Sequence, residues 1–250
     1  MKPVLQVKGL KKSFDEQPVL NEISFDVKKG EFLVIMGPSG SGKSTLLYTI
    51  SGMDRADAGE IQLAGHELSV LSEDELSDLR LKLMGFIFQH SYLLKNISIR
   101  DNIVLPGFKA RLKSRTEVNR DADELMTKTG ILEIGHHDIH KVSGGQLQRA
   151  AICRALINDP AVLFCDEPTG ALNSSATNEV MDILNKIHDE GSTIIMVTHD
   201  IKVASRAERV IYLLDGAIRD ELMLAPNESG ERRPEDCERL LSEWLDGMGF

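Results

Sequence analysis

The chain has 250 residues, enough to bury a sizeable core in one large domain or in one domain carrying an insertion. Thirty-nine acidic residues against 29 basic ones leave a net charge of −10, which argues against a general nucleic-acid surface, because phosphate binding needs concentrated Lys and Arg. No run approaches the roughly eighteen apolar residues of a membrane span, Met1-Lys2-Pro3 is no secretory start, and Cys153, Cys165 and Cys237, without C-x-x-C spacing, read as reduced buried thiols in a protein that neither crosses a bilayer nor leaves the cytosol unaided.

Taken in order, Pro3 to Val7 and Ile23 to Val27 alternate apolar with polar residues, which predicts strands with one wet face, and a hairpin-like Lys28-Lys29-Gly30 follows. Between those strands lies Lys12-Ser13-Phe14, whose ring can serve either as core or as a platform for a base. Phe32 to Ile35 then run as apolar strand residues into Gly37-Pro38-Ser39-Gly40-Ser41-Gly42-Lys43-Ser44-Thr45, and the pattern turns helical at Leu46 and Leu47. The G-x-x-x-x-G-K-[ST] spacing has a mechanical basis. Glycines let backbone N–H groups close around a β-phosphate, and the next helix adds its positive dipole end. Lys43 is left to reach the β- and γ-phosphates and the Ser44 hydroxyl to bind Mg²⁺.

Gly59 to Gly65 read as a short strand and turn, and Ser72-Glu73-Asp74-Glu75 as a capping box opening a helix to about Lys82. Gly85 to Phe88 form an apolar strand that delivers one amide, Gln89. From Asn102 to Asp159 the pattern is mostly helical, with a second capping box at Ser114 and an apolar stripe of Leu147, Ala150, Ala151, Ile152 and Ala155. Ala161 to Cys165 and Thr193 to Val197 are continuous apolar strands ending in Asp166-Glu167 and Thr198-His199-Asp200, so their polar ends share one sheet edge, where α/β sheets bind ligands. Val210 to Ala217 and beyond predict a closing hairpin around Asp215-Gly216. Pro226 to Pro234 read as a linker, and Cys237, Leu240, Leu241, Trp244 and Met248 as one face of a terminal helix.

The chemistry these residues suggest is phosphoryl transfer. Asp166 can hold Mg²⁺ through water while Ser44 holds it directly, Glu167 can orient or deprotonate a water, and His199 can contact a γ-phosphate. Ser143-Gly144-Gly145-Gln146 before a long helix is a second anion-binding design, and two such helix starts in one chain suggest that each nucleotide is gripped by loops of two subunits. His136, His137 and His140 read as solvated side chains without a metal.

The order of the Gly37 to Thr45 loop, Gln89, Val142-Ser143-Gly144-Gly145-Gln146, Phe164-Cys165-Asp166-Glu167-Pro168-Thr169 and Thr198-His199-Asp200 resembles the nucleotide-binding subunit of ABC transporters over residues 3 to 224. The resemblance implies a P-loop NTPase α/β fold with an antiparallel β subdomain and a helical insertion: core at 1–88 and 160–224, helical subdomain at 89–159, linker and terminal helix at 225–250. It implies ATP and Mg²⁺ as ligands, Phe14 as adenine platform, Gln89 as the link between Mg²⁺ and a membrane partner, Ser143 to Gln146 as cap on the opposite subunit's ATP, Glu167 as base and His199 as γ-phosphate switch. The implied partners are a second copy of the chain and a separate permease, which would hold the protein at the cytoplasmic face of the membrane. Pro168 to Leu172 and Gly85 to Gln89 resemble the macrolide-export, lipoprotein-release and antimicrobial-peptide-resistance group, and Leu105-Pro106 leans toward its bacitracin-resistance branch. Soluble ABC ATPases of the iron–sulfur-assembly type share the same motifs and stand as the alternative. Val142 replaces the commoner Leu, and Asn173 stands where an Asp is usual.

Overall fold

The computed structural model describes residues 2–224 and 234–248; most of the linker expected at Pro226 to Pro234 lies outside the described residues. The chain divides into two compact units, residues 1–71 with 188–250, and residues 72–187.

The first unit holds a four-stranded antiparallel sheet of β1 (Leu5–Phe14), β2 (Gln17–Val27), β4 (Ala58–Leu63) and β5 (His66–Glu67), in the order β2-β1-β4-β5. Register pairs Leu5 with both Val27 and Leu63, and Val7 with both Phe25 and Ile61, so one apolar face is buried across three strands. Both leading strands outrun the alternating stretches that announced them. Register shifts between Val7 and Ser13 insert bulges, which break the period of two without ending the pairing. Lys12-Ser13-Phe14 is therefore the end of a strand and not a connection. The Lys28 to Glu31 turn is likewise no hairpin. It takes the chain from the antiparallel sheet to β3 (Phe32–Met36), whose partners are elsewhere, and the Glu31 carboxylate closes the turn by accepting from Lys28 N at 2.7 Å.

β3 lies between β8 (Ile194–Val197) and β9 (Arg209–Leu214), parallel to both. Every residue of β3 and β8 is buried, as expected for strands covered on both faces. β10 (Ala217–Met223) returns antiparallel to β9 through Asp215 and Gly216, with φ of 49° and 70°, the two positive values a type I′ turn requires. α1 (Lys43–Ile50) and the short α7 (Ile201–Ala204) belong to this unit, as does α8 (Pro234–Gly247). The buried face of α8 is Cys237, Leu241 and Leu245, whereas Leu240, expected on that face, is 45% exposed. Trp244 meets Tyr212 edge-on and its indole N–H donates to Asp220 Oδ2 at 2.9 Å.

The second unit contains α2 (Glu73–Leu83), β6 (Met84–Phe88), α3 (Ile99–Ala110), α4 (Arg115–Lys128), α5 (Gly144–Leu156), β7 (Val162–Asp166) and nearly all of α6 (Ser174–Asp189). The capping boxes at Ser72 and Ser114 form as expected, and a further one, Ser98 with Asp101, starts α3 three residues before the predicted helical region. Ile99, Ile103, Val118, Ala122, Met126, Ala150 and Cys153 knit α3, α4 and α5 into one apolar cluster. Burial there pushes the Cys153 thiol up to about 12, and it does the same in direction to Cys165 on β7, so these cysteines are inert packing groups.

Trp244 is the single tryptophan and reports directly on α8. Leu241→Asp should unseat the helix and shift tryptophan emission to the red, with far-UV dichroism of the remaining elements retained; unchanged emission would contradict the docking described here.

Candidate functional site

The loop between β3 and α1 is shaped by main-chain crowding. A Cβ on Gly37 would lie 2.0 Å from Leu213 O, and one on Gly42, at φ 97°, would lie 3.0 Å from Val19 O. Gly42 is the left-handed residue just before α1, and no side chain caps that helix start. Its first N–H groups are therefore turned toward the loop, the arrangement that favours an anion. Ser41 is 4% exposed and its Oγ is buried without a hydrogen-bond partner, a vacancy that a ligand oxygen would satisfy. Lys43 Nζ folds back and donates to Pro38 O at 2.8 Å, which holds a cation over the loop. Ser44 and Thr45 follow in the first turn of α1.

Strand register sets the neighbours of this loop. Ile35 pairs with Val197, so Gly37 and His199 leave adjacent parallel strands side by side. Thr198, buried, accepts from Asp200 N at 3.1 Å, and Asp200 caps α7, which fixes the backbone on both sides of the exposed His199. Phe14, 46% exposed, carries Lys12 Nζ 4.8 Å from its ring centroid, so the ring is a surface platform and not core.

The second unit assembles its own set. Phe88 pairs with Asp166 in parallel β6 and β7, which brings Gln89 and Glu167 to neighbouring strand ends. A Cβ on Gly170 would sit 3.0 Å from Gln89 Nε2 and 3.3 Å from Glu167 Oε2, so amide, carboxylate and glycine meet in one place. Glu167 adopts φ 46°, a left-handed backbone that costs a non-glycine residue on the order of 1 kcal/mol. Asp166, half-buried, ends β7 beside it. The Ser143 to Gln146 loop opens α5 as a reciprocal cap: Ser143 Oγ accepts from Gln146 N, and Gln146 Oε1 accepts from Ser143 N at 2.8 Å. Ser143 and Gly144 are exposed. Gly144 faces Leu172 and Gly145 faces Ala176, so the loop rests on the start of α6, where the Asn173 side chain accepts from Ala176 N at 2.9 Å. Two participants escaped the sequence reading. Gln148 Nε2 donates to Phe88 O, and Arg154 donates to Ser91 O and Tyr92 O, each at 2.8 Å. Leu93 turns into the helical core, while Tyr92 and Leu94 remain exposed.

A parallel strand, a glycine loop with an orphaned hydroxyl and a helix start under a folded-over lysine define a P-loop nucleotide-binding protein. The family model described as ABC transporter matches residues 20–170. The chain belongs to the ABC transporter family. It is 40% identical to the macrolide export ATP-binding/permease protein MacB of Bdellovibrio bacteriovorus and 41% identical to that of Chlorobium luteolum, over 93% and 92% of this chain. It covers only 37% and 36% of those proteins, so the chain spans a little over a third of the length of the curated relatives it matches. The ATP-binding cassette MJ0796, in a dimeric post-hydrolysis state bound to ADP and Pi, superposes with a TM-score of 0.80 at 36% identity, over 88% of this chain and 98% of that one. The cassette cbiO1 of Clostridium perfringens, part of the transporter complex cbiONQ, gives 0.79 at 28% identity over 88% of each chain. The fold is the family's ATP-binding cassette, and the cassette binds ATP. Among the described residues no helix is long and apolar enough to cross a membrane.

Gly37→Ala should abolish the thermal stabilisation by ATP, which at about a hundred times Kd amounts to about 2.7 kcal/mol for the unaltered chain; a variant still stabilised by ATP would show that the close approach to Leu213 is dispensable. Asn173→Asp should leave the melting temperature nearly unchanged, because both residues cap a helix equally well, while changing the ATPase rate; an identical rate would mean that the carboxylate has no functional weight.

Proposed function

We propose that this chain is the ATP-hydrolysing subunit that powers a membrane permease of the ABC class, and that two copies close head-to-tail around two MgATP. It is an ATPase, splitting ATP and water into ADP and phosphate. The observation that carries the reading is the strand-end set Gln89, Asp166 and Glu167, with Glu167 held in a left-handed backbone conformation.

Each residue then has a separable task. Backbone N–H groups of Gly37 to Thr45 and the start of α1 bind the phosphates, and Lys43 swings from Pro38 O to the β- and γ-oxygens. The exposed Phe14 ring stacks on the adenine. The Glu167 carboxylate orients the attacking water and takes its proton, and His199, adjacent in register to the phosphate loop, contacts the γ-phosphoryl. The Ser44 hydroxyl, the Asp166 carboxylate and the Gln89 amide are hard oxygen donors suited to Mg²⁺, which when bound neutralises charge on the β- and γ-phosphates. The Ser143-Gly144-Gly145-Gln146 start of α5, exposed at Ser143 and Gly144, closes over the nucleotide of the second copy, a reading supported by the dimeric state of MJ0796.

Residues 89–159 act as the helical subdomain that meets the permease, with exposed Tyr92 and Leu94 beside Gln89 as the docking side chains. The protein works at the cytoplasmic face of the membrane, in export or resistance to antibiotics or antimicrobial peptides or in lipoprotein release; the relatives named for macrolide export, with ATP-binding and permease parts, favour such a transport role over a permease-free one in iron–sulfur assembly. Glu167→Gln should stop turnover and accumulate an ATP-bound dimer on a sizing column. A strictly monomeric variant in saturating MgATP would overturn the head-to-tail closure.

A further inference from the structure

The segment that follows β6 is held by contacts that no motif announces. Gln148 on α5 is 2% exposed, and its amide donates to Phe88 O, the carbonyl directly before Gln89. Six residues further along the same helix, the Arg154 guanidinium donates from Nη1 to Tyr92 O and from Nη2 to Ser91 O, both at 2.8 Å. Two consecutive carbonyls are thus gripped by one planar fork, a match that a lysine ammonium cannot reproduce. Tyr92 needs such a hold, because it sits at φ 45° while 67% exposed, so side-chain burial does little to enforce its left-handed backbone. Arg154 forms no ion pair with a carboxylate among the described residues, and burial alone draws its pKa below the usual arginine value. Arg154 is half-buried, so its guanidinium gives up part of its hydration for these two carbonyls, a cost that a neutral side chain of similar volume would not carry.

We infer that Arg154 is a positioning residue for Gln89: by fixing the Ser91 and Tyr92 carbonyls it sets the path of residues 89–92, and with Gln148 it makes that segment and the α5 helix, with the Ser143 to Gln146 loop at its start, move as one body. The inference rests on the ATPase reading, since it assigns Gln89 a part in MgATP turnover.

The test uses the full chain with Arg154→Lys, Arg154→Gln, Gln89→Ala and the double variant Arg154→Lys/Gln89→Ala. Arg154→Lys keeps the charge and stem but not the fork, and it should lower kcat about tenfold, on the order of one lost charge-assisted hydrogen bond, with the ATP dissociation constant within about twofold. The double variant should be no slower than Gln89→Ala alone, because a residue acting through Gln89 has nothing left to position. Should Arg154→Gln fail to fold, Arg154→Lys with an unaltered melting temperature carries the test. Full activity of Arg154→Lys, or a double variant whose losses multiply, would overturn the assignment while leaving the ATPase reading intact. An unaltered chain that fails to hydrolyse ATP would instead remove the reading on which the assignment stands.

Discussion

The phosphate loop depends on a junction where three stretches of main chain touch with no side chains between them. Gly37 lies against the carbonyl of Leu213, Gly42 against Val19, and Gly216 of the β9–β10 turn against Val19 as well, so close that a Cβ on Gly37 or Gly216 would fall 2.0 or 2.2 Å from a carbonyl oxygen. Two hydrogen bonds lock the same place, Asn21 N to Gly216 O at 2.8 Å and Gly216 N to Ser41 O at 3.2 Å. A loop that must present its amides to an anion can spend few of them on itself, here Ser41 N to Pro38 O at 3.3 Å, so its shape has to be enforced largely from outside. Here β2 and the closing hairpin supply that enforcement, and the antiparallel layer has a task beyond covering apolar surface. Deforming it would deform the anion cradle.

The second residue set obeys a different rule. Gln89 and Glu167 are neighbours because β6 and β7 run parallel in a register fixed by wholly or mostly buried strands, and a slip of one residue would send Glu167 to the opposite face. Precision at the strand ends is therefore inherited from packing in the strand middles. The helical cluster around Ile99, Met126 and Cys153 does the same for α5, whose polar side chains reach the carbonyls after β6.

What could be read in the sequence was what is local. The phosphate loop, the apolar runs of β3, β7 and β8, the Asp215-Gly216 turn and the capping boxes at Ser72 and Ser114 each declare themselves within a few residues, because spacing and backbone demand coincide there. The length of β1 and β2 was hidden by bulges, which keep the pairing while scrambling the alternation. The start of α3 was hidden because its capping acid is Asp101 and not the usual Glu or Gln. Leu245 and Leu240 exchanged places because a helix face read without its partner carries an uncertain phase. Gln148 and Arg154 were beyond reach for a simpler reason: their acceptors are backbone carbonyls some sixty positions away, and a carbonyl leaves no mark on the sequence.

The backbone at position 167 records a conflict between durability and use. Glycine would accept the left-handed conformation without penalty and would make a sturdier polypeptide, yet the chain keeps a carboxylate there, at the mouth of β7. In the reading proposed above, the chain yields endurance at this spot in exchange for an acid that can work there.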